Sequence, residues 1–490
     1  MKRLGVFSFC VSVMALIVCA QAPEDFDRYF IGKTMRIDYF HIGDAKEEIV
    51  TLDQVYEQGI WAGNRSSLID DLDNGRYTFK VFDQTSGNLI YSRGFDSYFG
   101  EYKTTTKASE GFKRTYHETA LFPYPKDKIR FVLEVRNREN ELVPFFSQVI
   151  DPGSVDIKRD PLTQDVKVYE MQKSSPSHQK VDIAIIAEGY TWEEEAKVRE
   201  DLERFTGIFF SQEPYKTYQN LFNIYGVFKP SEQSGCDEPR SGVFKNTAVG
   251  ATFNSLGSER YLLTEDNKTL RDVAAHVPYD GLCIMVNHKR YGGGGIYNLY
   301  CTYTSDNQWH RYLFLHEFGH SFGGLADEYY TSSVAYNDFY PRGIEPREPN
   351  ITALLNPDNV KWKEFITQGA EIPTPWEKEE FDRMDEEYQK VRQEINEKIA
   401  EMKRNHAPLV EIQEKEEEAE RLSREHALKV DAYLAKSRFK DVVGAFEGAG
   451  YSAQGLYRPM LDCLMFTKGD KPYCEVCEKA IIRVILHFTE

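Results

Sequence analysis

Two histidines and a glutamate carry the clearest chemistry in the sequence. His316, Glu317 and His320 form the pattern His-Glu-x-x-His inside a stretch with the apolar spacing of a helix. Because four residues make about one helical turn, both imidazoles project from the same face. They can hold one Zn²⁺ with a position left open for water, and Glu317 can take a proton from that water. The pattern predicts metal-assisted hydrolysis with Glu317 as the general base.

The residues around this pattern favour the same interpretation. Leu313, Phe314 and Phe318 predict a buried face of the helix, and Gly323-Gly324 predicts its end. With 11 histidines in 490 residues, a chance match is expected about once in 40 such chains. The alternative is a pair of surface histidines without a metal.

The glycine after the second histidine resembles the turn of the metzincin zinc peptidases. In that clan the chain turns at the seventh residue after the first histidine and returns a third metal ligand at the tenth. The tenth residue here is Ala326, which cannot bind a metal, and Asp327 and Glu328 follow it. If Gly324 takes the place of the turn, the resemblance implies Asp327 as the third ligand, with Glu328 as the alternative.

A later segment, Tyr457–Met465, resembles the Met-turn, the loop that passes beneath the zinc in metzincins. The resemblance implies Met465 as the residue below the metal and Met460 as the alternative, whereas a methionine is otherwise a core-packing residue. Clan relatives often carry a tyrosine shortly after the Met-turn, and none follows Met465 directly. Tyr457 and Arg458 are therefore candidates for the oxyanion or substrate contact.

Three segments together resemble the immunoglobulin A peptidase family of bacterial zinc metalloendopeptidases. They are His316–Tyr330, Val181–Tyr190 and Tyr457–Pro459, and the leading β-domain resembles the N-terminal module of many members. The resemblance covers most of residues 24–480. It implies an exported endopeptidase with one catalytic zinc that acts on an extended polypeptide or glycoprotein, and it does not identify immunoglobulin A as the substrate.

The elements that must position these residues predict a multidomain α+β protein. Residues 24–160 contain short alternating runs separated by turn residues, which predict an N-terminal β-sandwich. Residues 178–490 begin with a continuous apolar strand and a helix, which predict a metzincin-like α/β zinc-peptidase domain. Within it, residues 377–435 carry apolar residues at spacings of three and four among many charges. They predict a long antiparallel helical hairpin, inserted as a solvated arm with its own seam. An arm that contacts a partner or the substrate is the alternative.

The N-terminus predicts export. Lys2-Arg3 precedes the apolar run Leu4–Ala20, which is typical of a signal peptide spanning residues 1–20. We expect a secreted, periplasmic or cell-surface protein, and a lipid anchor through Cys19 is the alternative. No later stretch is apolar for long enough to span a bilayer.

Of the six cysteines that follow the signal, Cys474 and Cys477 form a lone CxxC. We interpret it as a local disulfide or free thiols in preference to a metal site.

Composition limits the remaining functions. A net charge of −18 argues against a general nucleic-acid binder, because no excess of basic residues is present to neutralise phosphates. The glycine run 292–295 lacks the ending of a phosphate-binding loop, and it could instead let an extended peptide approach the backbone. The alternatives to an endopeptidase are a surface adhesion or binding protein and a zinc amidase acting on cell-wall peptides. The sequence does not indicate the oligomeric state.

Overall fold

The first domain consists of two antiparallel sheets in the computed structural model, which describes residues 26–331 and 339–489. Its strands are β1 (Phe30–Gly43), β2 (Glu48–Ile60), β3 (Tyr77–Asp83), β4 (Leu89–Phe95), β5 (Arg114–Pro125), β6 (Ile129–Arg136) and β7 (Leu142–Ile150). They form sheets of order β2-β1-β5 and β4-β3-β6-β7. Three short helices accompany them: α1 (Phe26–Tyr29), α2 (Tyr98–Tyr102) and α3 (Thr106–Ser109). The predicted signal peptide, with Cys19, lies outside the described residues.

Side chains from both sheets share one apolar core. Every second residue of a strand points to the same face, and the buried rings of Phe79, Phe122 and Phe131 come from three different strands. Their centroids lie 6.0 to 6.1 Å apart. The N-terminal residues therefore form a separate domain with its own core.

The second domain is built on a six-stranded mixed sheet. Its strands are β8 (Lys167–Gln172), β9 (Val181–Glu188), β10 (Phe222–Phe228), β11 (Gly281–Val286), β12 (Gly293–Ile296) and β13 (Tyr300–Thr304), in the order β12-β13-β11-β9-β10-β8. The central strands are parallel, and β8 and β12 pair antiparallel at the two edges. The sheet thus begins at Lys167, before residue 178, where the predicted domain starts.

Helices cover both faces of this sheet, which explains the continuous apolar run of β9. Ile183 and Ile185 face one apolar core, whereas Ala184 and Ile186 face another. The helices of the sheet are α4 (Glu195–Ser211), α5 (Asn267–Ala274) and α6 (His310–Ser321), and the chain closes with the hairpin β14 (Phe446–Ala449) and β15 (Ser452–Arg458) and helix α9 (Glu475–Thr489). Within residues 26–331 and 339–489, no helix combines the length and the apolar character needed to cross a bilayer.

Two long helices form the predicted hairpin, α7 (Lys378–Arg404) and α8 (Leu409–Leu434). Contacts between them run in opposite directions along the chain, because Asp385 meets His426 at 2.6 Å and Lys403 meets Glu416 at 2.9 Å. The pair is therefore antiparallel.

The hairpin buries Ile395 of α7 and Ile412 of α8, but the expectation that it is a solvated arm is wrong. Phe381 and Val430 belong to the main core of the second domain. Further along, Trp309 Nε1 donates to Ser423 Oγ at 3.1 Å, and Lys289 pairs with Glu416 at 2.7 Å. Because the base of the hairpin is apolar and its flank pairs with charges of the body, it lies along the second domain.

The two domains are joined by partly buried polar contacts. Arg36 of β1 pairs with Asp272 of α5 at 2.7 Å. Asn298 donates to the carbonyl of Gly94 at 2.7 Å and accepts from Arg93 at 3.0 Å. These bonds bring the loops of the first domain beside the edge strand β12 of the second.

Candidate active site

Helix α6 carries His316, Glu317 and His320 toward a cleft and buries its other face. Leu313, Phe314 and Phe318 all lie in the core of the second domain, as their spacing predicted. Packing of these apolar side chains leaves His316, Glu317 and His320 on the side of the helix that lines the cleft.

The edge strand β12 lies directly against this helix, and its glycines allow the approach. A Cβ at Gly293 would lie 2.9 Å from Glu317 Cγ, and one at Gly295 would lie 2.8 Å from His320 Cβ. The glycine run therefore serves helix–strand packing. The outer side of the strand is partly paired within the chain, since Leu262 N–H donates to the Gly293 carbonyl at 3.2 Å.

Three ligand atoms converge above the helix. Asp327 Oδ1 lies 2.9 Å from His316 Nε2 and 3.3 Å from His320 Nε2, and the two Nε2 atoms are 3.1 Å apart. His316 Nδ1 lies 3.1 Å from the Leu464 carbonyl, and His320 Nδ1 lies 2.6 Å from the Leu325 carbonyl. Each carbonyl accepts the Nδ1 proton, so both Nε2 lone pairs point at Asp327.

This arrangement fits a bound cation. Two imidazole lone pairs and a carboxylate oxygen repel one another unless a positive charge lies between them. Asp327 Oδ1 is buried and has no hydrogen-bond donor among the described residues, while Oδ2 accepts from the Tyr451 hydroxyl at 2.5 Å. Two imidazole nitrogens and one carboxylate oxygen are a donor set that suits zinc.

A turn and a distant asparagine set the position of Asp327. Gly324 adopts φ +62°, the left-handed conformation that ends α6 and reverses the chain. Asn350 then accepts from Ala326 N–H at 2.8 Å and donates to the Ala326 carbonyl at 2.9 Å. Because successive side chains of an extended segment point to opposite sides, Asp327 faces the imidazoles and Glu328 faces away from them, toward buried cysteines.

Glu317 lines the cleft beside the imidazoles. Burial raises the pKa of its carboxyl group, and this effect exceeds the opposing effect of the neighbouring histidines. A raised pKa makes a carboxylate a stronger base. The geometry therefore allows Glu317 to exchange a proton with a molecule held at the three ligand atoms.

Family models match nearly the whole chain. The model described as IgA Peptidase M64 matches residues 169–485, and the model described as Peptidase M64 N-terminus matches residues 25–147. The chain belongs to the M64 peptidase family. Its members are metallopeptidases, so this M64 peptidase is a hydrolase that acts on a polypeptide. Among curated proteins, no sequence matches the chain.

In this M64 peptidase, Met465 lies against the helix that carries the histidines. It is fully buried, and its Sδ is 3.0 Å from the place where a Cβ on Gly319 would stand. Its carbonyl accepts the N–H of Glu328 at 2.9 Å. Met460 is only partly buried, at the margin of the same core.

The structure places Tyr457 and Arg458 away from the imidazoles, which does not support a role for them as oxyanion or substrate contacts. Arg458 is fully buried, stacks on Phe466 at 3.8 Å and donates to the Gly448 carbonyl at 2.7 Å. Tyr457 pairs through its backbone with Thr352. Neither side chain lines the cleft.

Two other residues of the M64 peptidase lie beside the histidines, where Tyr457 and Arg458 were expected. Tyr329 and Arg260 line the cleft beside the histidines, and Arg260 Nη2 donates to the Tyr329 hydroxyl at 3.1 Å. Burial raises the pKa of Tyr329, so its hydroxyl stays protonated and can donate. Tyr329 lies two residues after Asp327 in the family-like segment, which is a signal that sequence reasoning could have used. Arg260 lies in an irregular loop without one.

The cleft itself lies between the two domains. It measures about 540 Å³, and loops of the N-terminal domain form one wall. Arg76, Asp96 and Arg136 line that wall. The sequence of the first domain contains no catalytic constellation, so its contribution to the cleft was not predictable.

Proposed function

We propose that the chain is an exported, zinc-dependent endopeptidase that cleaves protein or glycoprotein substrates. The convergence of His316, His320 and Asp327 within 3.3 Å, with Glu317 beside them on an open cleft, carries the proposal. We interpret the two N-terminal sheets as a β-sandwich and the second domain as metzincin-like, with Met465 as the floor of the site.

Each residue of the site has its own role in peptide-bond hydrolysis. His316, His320 and Asp327 would hold the zinc, which when bound would act as a Lewis acid on water and on the scissile carbonyl. Glu317 accepts the proton of the attacking water and passes it to the leaving amine. The Tyr329 hydroxyl, held by Arg260, is the donor for the oxygen that becomes negative as the tetrahedral carbon forms. Tyr451 orients Asp327 by holding the carboxylate oxygen that does not face the histidines.

Glu317→Gln tests the proposal directly. The variant should retain zinc and lose cleavage of casein or mucin by a factor of about 10²–10⁴, the usual contribution of general-base catalysis. Glu386→Gln, an exposed position on the hairpin helix α7, is the matched control and should cleave normally. Near-normal turnover by zinc-loaded Glu317→Gln would reject Glu317 as the base.

Metal removal and export are tested separately. A strong chelator should abolish cleavage, and added zinc should restore it. Asp327→Asn should bind zinc weakly. If cell-wall peptides are cleaved and unfolded proteins are not, the amidase alternative is correct. If the zinc-loaded chain cleaves neither, the adhesion alternative replaces the proposal.

Mass spectrometry of the extracellular protein should find a chain beginning at Gln21, and a lipidated Cys19 would show the anchored alternative.

A further inference from the structure

Three cysteines and a glutamate meet on the side of residues 326–328 that faces away from the histidines. Glu328, Cys463, Cys474 and Cys477 are all buried, and one ligand atom of each lies within 4.8 Å of all the others. Cys463 Sγ is 3.8 Å from Cys477 Sγ, and Cys477 Sγ is 3.3 Å from Glu328 Oε1. The lone CxxC of the sequence thus acquires two further polar partners from distant parts of the chain.

These separations match the edges of a zinc tetrahedron. With Zn–S near 2.3 Å and Zn–O near 2.0 Å, two sulfurs lie about 3.8 Å apart and a sulfur and an oxygen about 3.5 Å apart. A disulfide would instead require sulfurs about 2.0 Å apart. Every cysteine of the described residues is a free thiol. The cluster therefore has the spacing of metal ligands and not of an oxidised pair.

The cluster also lacks a balancing charge. Glu328 Oε2 is buried and has no hydrogen-bond donor among residues 26–331 and 339–489, which is costly for a carboxylate. Arg458 is near enough to favour the charged form of Glu328, but its N–H groups donate to the carbonyls of Gly448 and Leu461. A divalent cation beside Oε1, which lies 3.3 Å from Cys477 Sγ, would balance the charge of this buried carboxylate.

Hydrogen bonds around the cluster resemble those that support metal-bound thiolates. Cys463 Sγ accepts from the backbone N–H of Cys474 at 3.2 Å and of Met465 at 3.4 Å. Asn350 donates to Glu328 Oε1 at 3.0 Å. Such outer contacts orient ligands and stabilise their charged forms.

We propose that Glu328, Cys463, Cys474 and Cys477 bind a second zinc ion with a structural role. The three thiols release their protons to solvent as the metal binds, and four protein ligands close the coordination sphere without a position for water. Neither the cleft nor the histidine site takes part, so this proposal does not depend on the proposed function.

The second ion would brace the floor of the active site. Glu328 is the neighbour of Asp327, and Cys463 is the neighbour of Leu464, whose carbonyl holds His316. One metal would therefore tie the segment of the third ligand to the loop that contains Met465.

Metal counting on the full chain tests the proposal. After reconstitution with excess zinc under a phosphine reductant and removal of unbound metal, the wild type should hold two zinc ions per chain. His320→Ala should hold one, and Cys477→Ser should lose the other. Cys236→Ser, a buried thiol outside the cluster, is the matched control and should keep both. A zinc content of Cys477→Ser equal to that of the wild type, or no zinc in His320→Ala, would overturn the proposal.

If Cys477→Ser does not fold, substitution of cobalt for zinc provides a second test. Cobalt-substituted wild type and His320→Ala should both show a thiolate-to-cobalt charge-transfer band in the near ultraviolet, since the histidine site contains no sulfur. Absence of that band would refute the cluster as a metal site. A disulfide among the three cysteines, detected by mass spectrometry of protein isolated and alkylated without reductant, would refute it as well.

Discussion

Phe381 anchors the helical hairpin in the body of the second domain, and replacing it by alanine measures that attachment. The side chain is 3% exposed in the first turn of α7. Its ring lies 5.3 Å from Phe466, 5.5 Å from Trp376 and 6.3 Å from Tyr330. Because Phe466 directly follows Met465, a cavity at Phe381 opens beside the floor of the active site.

The expected loss follows from this burial. Truncation of a buried phenylalanine to alanine costs about 3–5 kcal/mol. Since each kcal/mol shifts the Tm of a large domain by about 2–4 °C, the transition of the second domain should fall by about 10 °C. Leu428 on α8 is 69% exposed, so Leu428→Ala is the matched control, with a change below about 0.5 kcal/mol. Scanning calorimetry of the zinc-loaded proteins gives both values.

An unchanged Tm for Phe381→Ala would refute this account and restore the hairpin as an independent arm. Replacing residues 380–432 by a short Gly-Ser linker tests the same point. The linker would expose the core around Phe466 and leave Lys289 without Glu416. We therefore expect insoluble or zinc-poor protein, and a soluble deletion variant with full zinc would contradict the observed packing.

Two further changes probe the interior of the second domain. Tyr451→Phe removes the hydroxyl that holds Asp327 and should weaken zinc binding about 10- to 100-fold in a chelator competition; equal affinity would show that Asp327 needs no such support. Burial raises the pKa values of Asp182 and of Asp280, whose carboxylate accepts the Asp182 N–H at 2.9 Å. The native chain therefore binds more protons than the unfolded chain above about pH 4 and loses stability as pH rises. Asp182→Asn should flatten that loss in denaturant titrations at pH 5 and pH 8, and parallel curves would contradict it.

Local periodicity explains how much of the fold was predictable. Alternation located β1, β3 and β6, a continuous apolar run located β9, and the pattern around His316 located α6. Each of these signals lies within one element and reports the face that is buried. The hairpin shows the limit of such signals. Its helices were predictable, but Lys403 and Glu416 look solvated in the sequence and instead lie between the hairpin and the body, where Lys403 also pairs with Glu238 at 3.1 Å.

Periodicity does not indicate which distant residues are in contact. The orientation of the segment after α6 depends on such long-range contacts. Asp327 and Glu328 are chemically alike and adjacent, so neither the pattern nor the composition distinguishes them. The left-handed turn at Gly324 and the side chain of Asn350 decide which one faces the histidines. Because the segment is extended, the choice for Asp327 also sends Glu328 to the opposite side, among the thiols. A one-residue shift of this segment would move one carboxylate into the other cluster and bring Ala326 or Tyr329 to the place that it left, so both buried clusters would be disrupted. The hydrogen bonds of Asn350 to Ala326 and of Glu328 N–H to the Met465 carbonyl oppose such a shift.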